Sequence, residues 1–429
     1  MLGTTRKAMT TMSMWRRSLW RYRVTTAGIA LTSFGAATAL NDLPTVVSGV
    51  AATAGCLVSV LEIRANRRRA RLVRFQSRDG DNYRDLASQF RKLGAVVESA
   101  HDVGVVMARE SVRLRSRPVR AEIASSPYQL PRELKNWSFD FLARRARMAA
   151  MYNGEILGLA SDLPPDDDDV VVKLRTGRYF DFFCSNLLAP FDVWETGRKL
   201  PILRGRELIL DQHDRLTTFR RSRLANTVGV STLAFTTDGQ LIIVAQAKDN
   251  VGSPGLFAPS SSGALEPCDA PQDGAGLTIG RIILNGAERE LREECNISSD
   301  EVKESHIVGH GRWISRGAMP EFCAVTLLHL TSDQVLDRAI RRTERPYVCE
   351  VLAVDLSPIA RWNPRKPLAM LPDKISLSAS WPLAFGLACL AESINDPSWP
   401  VRQELTRRLT QEASHASDES ARDSHAVDV

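Results

Sequence analysis

The chain has 429 residues, is 44% hydrophobic and 25% charged, and carries a formal net charge of +6, a length that accommodates about two or three domains. Much of the positive excess lies in residues 1–75, and with no zinc spacing or RNP-type aromatic motif the charge does not make a nucleic-acid-binding protein, so no nucleic-acid partner is predicted. The seven cysteines, at 56, 184, 268, 295, 323, 349 and 389, form no C-x-x-C pair, which excludes a disulfide framework and fits a reduced cytoplasmic domain.

Residues 1–74 hold two uncharged stretches, 24–41 and 43–61, joined by Asn41-Asp42-Leu43-Pro44. Each is near the roughly 17–25 residues a helix needs to cross a bilayer. Arg16, Arg17, Arg21 and Arg23 precede the first stretch, and Arg64, Arg67, Arg68, Arg69, Arg71 and Arg74 follow the second. The positive-inside rule then predicts a two-helix, multi-pass transmembrane hairpin with both termini cytoplasmic and the lipid bilayer as a partner. Its small residues suit helix–helix contact, so copies of the chain could associate through it. A twin-arginine signal at WRRSLWR is the weaker alternative, because a second apolar stretch and a basic cluster follow.

Residues 75–220 read as an α/β middle region of unknown role. Helices are predicted at Tyr83–Leu93 and Glu133–Tyr152, and VVVKLRTGRYFDFFCSNLLA (170–189) predicts a strand and then a helix. The four aspartates Asp166–Asp169 lack the alternation and glycine of an EF-hand loop and read as a solvated charge run. No chemistry is legible in this region.

From Arg221 the pattern changes. NTVGVSTLAFTTDGQLIIVAQ (226–246) is two β-rich runs around Asp238-Gly239, a hairpin signal. A Pro/Ser/Gly-rich loop, SPGLFAPSSSGALEPCD, follows, then a helix containing GAERELREECNI (286–297), β-type runs at Glu321–Leu330 and Tyr347–Leu356, and an apolar helix over Ser378–Ile394. Residues 221–395 therefore form an α+β domain. The polar tail, residues 396–429, is expected to be disordered from about 411.

On the helix containing GAERELREECNI, Glu290, Glu293 and Glu294 stand at i, i+3 and i+4 and share one face. Three carboxylates there repel one another unless a divalent cation neutralises them, and hard oxygen ligands favour Mg²⁺ or Mn²⁺. Such clusters also occur on ordinary solvated helices. A stripe of Leu284, Ala287, Leu291 and Cys295 would pack the helix on a sheet, and Arg289 could pair with an acid of the preceding loop.

Arg289 to Ile297, RELREECNI, resembles the second half of the Nudix box, R-E-U-x-E-E-x-G-U with U aliphatic; Asn296 replaces the glycine and tolerates the left-handed backbone a helix C-cap wants. The first half, G-x5-E, is displaced: Gly263 and Asp269 fit it with aspartate for glutamate, Glu266 is a further acid, and 19 residues rather than seven separate Asp269 from Arg289. The box is split, its extra residues assigned to an expanded loop from Ala270. Two spans, an intervening region and a Nudix domain with an APSSSGALEP-like loop resemble the SMODS-associated NUDIX family, which is linked to bacterial nucleotide-conflict (antiphage) systems; the resemblance implies that the hairpin lies in the bacterial inner membrane. The resemblance implies a Nudix-type mixed sheet between helices and metal-dependent hydrolysis of a phosphoanhydride in a nucleoside-diphosphate-linked or related nucleotide. Glu290, Glu293 and Glu294 would be the metal ligands, and Glu290 or Glu294 the catalytic base. Gly263, Glu266, Asp269 and Arg289 would support the loop. Glu321 could add a ligand from a strand or be a strand-edge charge; His306, His310 and His329 receive no role. Two rival readings are a non-catalytic nucleotide sensor and a membrane effector signalling through the hairpin.

Overall fold

The computed structural model describes residues 73–77, 80–145, 153–164, 170–248, 253–271 and 276–410. Up to Ile209 these form strands β1 (Val73–Ser77), β2 (Val96–Glu98), β3 (Val103–Val106), β4 (Ala121–Ala124), β5 (Glu155–Leu159), β6 (Val172–Arg178) and β7 (Phe191–Glu195). Helices α1 (Gly80–Ser88), α2 (Ala108–Ser116), α3 (Arg132–Arg145), α4 (Tyr179–Phe183) and α5 (Arg206–Ile209) intervene. Beyond them come β8 (Gly229–Phe235), β9 (Leu241–Gln246), β10 (Phe257–Ala258), β11 (Ser261–Ala264), α6 (Ile279–Glu294), β12 (Val302–Trp313) and β13 (Met319–Leu328). Then come α7 (Ser332–Leu336), β14 (Val348–Val354), α8 (Asp373–Ser376) and α9 (Trp381–Ser393), and residues 402–410 form a further helix.

A nine-stranded mixed sheet runs β10-β9-β8-β13-β12-β3-β2, with β11 also on β8 and β14 on β9. Its centre is the parallel pair β8 and β13, Glu321 opposite Gly229 through Leu327 opposite Phe235. Every residue of these two strands is buried, as a strand with both faces covered requires. On one face lies α6, through Ile279, Ile282, Ile283, Ala287 and Leu291; Leu284, expected in that stripe, is only half-buried. On the other lies α9, whose WPLAFGLACLAES is buried almost all round, packing Phe385, Leu387 and Leu390 with Leu233, Val325 and Leu327.

The hairpin expected at Asp238-Gly239 is present. Thr236 N–H donates to the Gln240 carbonyl at 3.1 Å, and Gly239 sits at φ 83°, in the left-handed region glycine favours. Asn296 takes φ 56° just beyond α6, as its place at the helix end predicts. The strand β12, the partner of β13 along the whole hairpin, had no counterpart among the expected elements. Residues before 220 also join the sheet, β3 pairing with β12 through Val106 opposite Gly311 and Val105 opposite Arg312.

Among the described residues no helix is long and apolar enough to cross a membrane. That finding overturns the expected inner-membrane, multi-pass localisation. The stretches 24–41 and 43–61, any association through them, Asp166–Asp169 and the tail from 411 all lie outside the described residues.

Candidate functional site

The two halves of the split box meet. The loop from β11 to Asp269 runs back against α6, held first by backbone: Ser261 to Ala264 pairs with Thr232 to Gly229, and Leu265 N–H donates to the Val228 carbonyl at 3.0 Å. A single 3-10 turn, Pro267–Asp269, then aims the Asp269 carboxylate at the helix. Arg289 closes the contact with Nε on Asp269 Oδ1 at 2.8 Å and Nη2 on Oδ2 at 3.0 Å. Its Nη2 also reaches the Ala264 carbonyl at 2.9 Å, and its Nη1 reaches Glu290 Oε1 at 2.8 Å. Asp269 Oδ2 accepts the Glu266 N–H at 2.8 Å as well, and Asn285 Nδ2 donates to the Asp269 carbonyl at 2.9 Å. Both partners of the pair are buried, the Asp269 side chain 1% exposed and Arg289 9%.

The extra residues between the half-motifs are therefore part loop and part helix. Thr278 caps α6, accepting the Arg281 N–H at 3.3 Å, so the helix gains several turns ahead of Arg289 rather than the insertion being loop throughout.

Gly263 and Gly286 allow this approach. A Cβ on Gly263 would overlap the Glu290 carboxylate, and one on Gly286 would overlap the Leu265 side chain. One turn on, Glu294 Oε2 accepts the Ser262 N–H at 3.3 Å. Of the residues expected from sequence, Gly263, Glu266, Arg289, Glu290, Glu293, Glu294 and Glu321 line one cleft of ≈ 280 Å³. Asp269 lies behind its wall, on the clamp.

The cleft is electrostatically unbalanced. Burial, only partly opposed by Arg289, pushes the Glu290 carboxyl up to about 7, and Glu293 adds to the rise. Glu294 is raised well above the ordinary range by burial and then by Glu290. Arg289 is held charged: burial works against it, and the hydrogen bond to Asp269 with the charge of Glu290 more than offsets that. Glu321 is pushed up to about 8 by burial. It is no strand-edge charge, since β13 is central and Glu321 is 3% exposed, with its carboxylate filling the space a Cβ on Gly229 would take. A lone acid inside the apolar run MPEFCAVTLL was the signal for it.

Among the described residues no three acidic, histidine or cysteine side chains form a ready-made metal cluster; Glu290 is turned to Arg289 instead. The donor chemistry nonetheless fits a divalent cation. Glu290, Glu293, Glu294 and Glu344 line the cleft together with Gln246, whose buried Oε1 has no hydrogen-bond partner among the described residues. Hard oxygens in excess over cationic side chains suit Mg²⁺ or Mn²⁺. The histidines stand apart from the cleft lining: His306 bonds Glu304 at 3.0 Å, His329 is exposed, and His310, driven down to about 3 by burial, stacks on Phe322 at 4.4 Å.

Sequence reasoning missed the remaining wall. Ile156, Tyr179 and Phe182 come from the middle region, Thr227 from the approach to β8, Trp313 and Arg316 from the β12–β13 turn, and Glu344 and Tyr347 from the segment before β14. None of these positions belongs to a local motif.

No family model matches the chain, and no curated protein matches it. Solved structures similar to it include DR0079 from Deinococcus radiodurans, at 16% identity over 42% of this chain and 94% of that one, with a TM-score of 0.25. A NUDIX hydrolase from Nitrosomonas europaea matches at 15% identity over 30% and 70%, with a TM-score of 0.21. A C. elegans Ap4A hydrolase binary complex matches at 12% identity over 30% and 78%, with a TM-score of 0.20. Nudix hydrolases thus stand among the solved structures similar to it.

Proposed function

We propose that the chain is a Nudix-type, metal-dependent hydrolase that cleaves a phosphoanhydride bond in a nucleoside-diphosphate-linked or related nucleotide. The observation that carries this reading is the Arg289–Asp269 clamp, which brings the displaced half-motif Gly263–Asp269 against the helix bearing Glu290, Glu293 and Glu294. A bound Mg²⁺ or Mn²⁺, held by Glu290, Glu293 and Glu294, would stabilise charge on the bridging phosphates and acidify the water that attacks phosphorus.

The chain's own residues divide the remaining work. Arg289 has its guanidinium committed to Asp269, Glu290 and the Ala264 carbonyl, so it positions the loop and leaves substrate to other groups. The Ser262 N–H orients one oxygen of Glu294. Glu290 and Glu294, which share one face of α6 and line the same cleft, are the two carboxylates that would take the proton from the attacking water. The SMODS-associated setting, a bacterial nucleotide-signalling system, belongs to this proposal; its support is that Ser262, Gly263, Ala264 and Glu266 of the APSSSGALEP-like loop form the cleft wall.

A second reading, a nucleotide sensor without turnover, is favoured by the Glu290–Arg289 ion pair at 2.8 Å, which occupies an oxygen the metal would need. The purified chain with Mg²⁺ and a nucleotide panel separates the two. Phosphate release that Glu294→Gln abolishes supports the hydrolase; tight binding without release, unchanged by that substitution, overturns it.

A further inference from the structure

One part of the cleft lining, the part whose Arg316 acts on Glu321, belongs to a stack of flat groups that runs out of the core. Phe385 and Trp381 lie 5.0 Å apart at an interplanar angle of 8°. Trp381 and Trp313 lie 4.9 Å apart at 30°, and the Arg316 guanidinium carbon sits 4.0 Å from the Trp313 ring centroid. The inner members are fixed: the Trp381 indole N–H donates to the Val97 carbonyl at 3.0 Å, and that of Trp313 to Ser315 Oγ at 3.1 Å. Trp313 and Arg316 both line the cleft. A guanidinium laid on an aromatic face is a rigid planar platform, and flat π-systems stack on such platforms.

Two further observations point to a ligand there. Thr227 is 2% exposed and lines the cleft, yet its Oγ1 has no hydrogen-bond partner among the described residues; a buried polar atom in that state costs free energy unless something binds it. Tyr179 and Phe182, packed edge to face at 5.7 Å, add an aromatic wall to the same space.

We propose that Arg316 and Thr227 form a nucleobase subsite, the base stacking on the cleft-lining guanidinium of the Phe385–Trp381–Trp313–Arg316 column while Thr227 Oγ1 bonds its polar edge. The proposal rests on the hydrolase reading for the position of the phosphates, which extend toward Glu290, Glu293 and Glu294. A planar ring with a polar edge, joined to phosphates, is a nucleotide; a sugar phosphate lacks the π face, and inorganic pyrophosphate lacks both ring and edge. Specificity for the base would thus come from residues outside the box.

The test uses the full chain and measures equilibrium binding of AMP, GMP, CMP and UMP by calorimetry and tryptophan fluorescence, with inorganic pyrophosphate as the ring-free probe. At least one monophosphate is expected to bind and to change tryptophan emission. Arg316→Lys keeps the charge and removes the plane, and should weaken that nucleotide about tenfold, the scale of one base-stacking contact, while pyrophosphate binding stays unchanged. Thr227→Val keeps the shape and should weaken the nucleotide about five- to tenfold through one lost hydrogen bond. The proposal is overturned if Arg316→Lys binds nucleotide as wild type does, or if it weakens pyrophosphate equally, since Arg316 would then be a phosphate contact. It is overturned too if none of the four monophosphates binds; phosphoanhydride cleavage of a base-free substrate would still leave the hydrolase reading standing. Nucleotide binding lost as expected in both variants, in a protein without turnover, supports the subsite and removes the hydrolase.

Discussion

Replacing Asp269 by asparagine tests the clamp on which the site depends. Both carboxylate oxygens are in use, Oδ1 by Arg289 Nε at 2.8 Å and Oδ2 by Arg289 Nη2 at 3.0 Å and Glu266 N–H at 2.8 Å. All three partners are donors, so either orientation of the new amide sets an NH₂ against an N–H and leaves Arg289 short of a counter-charge. Removing one partner of a buried ion pair costs about 3–5 kcal/mol, and the lower end applies because Arg289 keeps Glu290 and the Ala264 carbonyl. At about 2–4 °C per kcal/mol for a domain of this size, the thermal midpoint should fall by about 6–12 °C. Urea unfolding and calorimetry read the stability, and phosphate release from a nucleotide substrate reads the site. The double variant Arg289→Met with Asp269→Leu is the control: it removes both charges but leaves the Glu266 N–H, the Ala264 carbonyl and Glu290 without these partners, so it should recover only part of the lost stability, while hydrolysis stays low. If Asp269→Asn unfolds within about 1 kcal/mol of wild type, Arg289 and Asp269 do not hold the loop against α6.

Glu294→Gln should abolish phosphate release yet raise the urea midpoint, because burial holds the Glu294 carboxyl well above the ordinary range and the amide removes that penalty; a lowered midpoint would contradict the electrostatic account. Gly263→Ala sets a Cβ into the Glu290 carboxylate, so Mg²⁺ affinity measured by calorimetry and turnover should both drop, with the fold retained by far-ultraviolet circular dichroism. Glu301 is drawn down to about 2 from an ordinary 4.5, first by its hydrogen bond with Arg338. A carboxyl lowered on folding stabilises above the unfolded value and loses that contribution as pH falls through the folded one. The stability gap between wild type and Glu301→Gln should therefore be full above pH 4.5 and close as pH falls toward 2. A gap that is constant across this range would show that the Arg338 contact is not electrostatic.

The local grammar of the chain was legible because its signals act over a few residues. The Asp238-Gly239 turn, the box helix ending at Glu294, the left-handed Asn296 and the apolar closing helix all follow from periodicity and backbone preference. The pairing of Arg289 with an acid of the preceding loop was also foreseeable, since a buried guanidinium needs a counter-charge. Glu321 was half legible: its identity stood out, but only the parallel register with Gly229 shows it facing a cleft from the middle of a sheet.

The rest needed the tertiary structure. The polar, histidine-bearing start of VKESHIVGHGRW conceals β12, which becomes a strand by pairing with β13 along its whole length. Residues 75–220 showed no chemistry, yet they extend the sheet through β3 and supply Tyr179 and Phe182 to the cleft. By itself the sequence determined which residues carry charge and which short segments turn, coil or cap. Whether GAERELREECNI was a wet acidic face or one wall of a site depended on a loop displaced along the chain, and only folding returned that loop to the helix. The physical reason is that burial, which raises the carboxyls of Glu290, Glu294 and Glu321, is created by contacts between distant segments and leaves no local pattern to read.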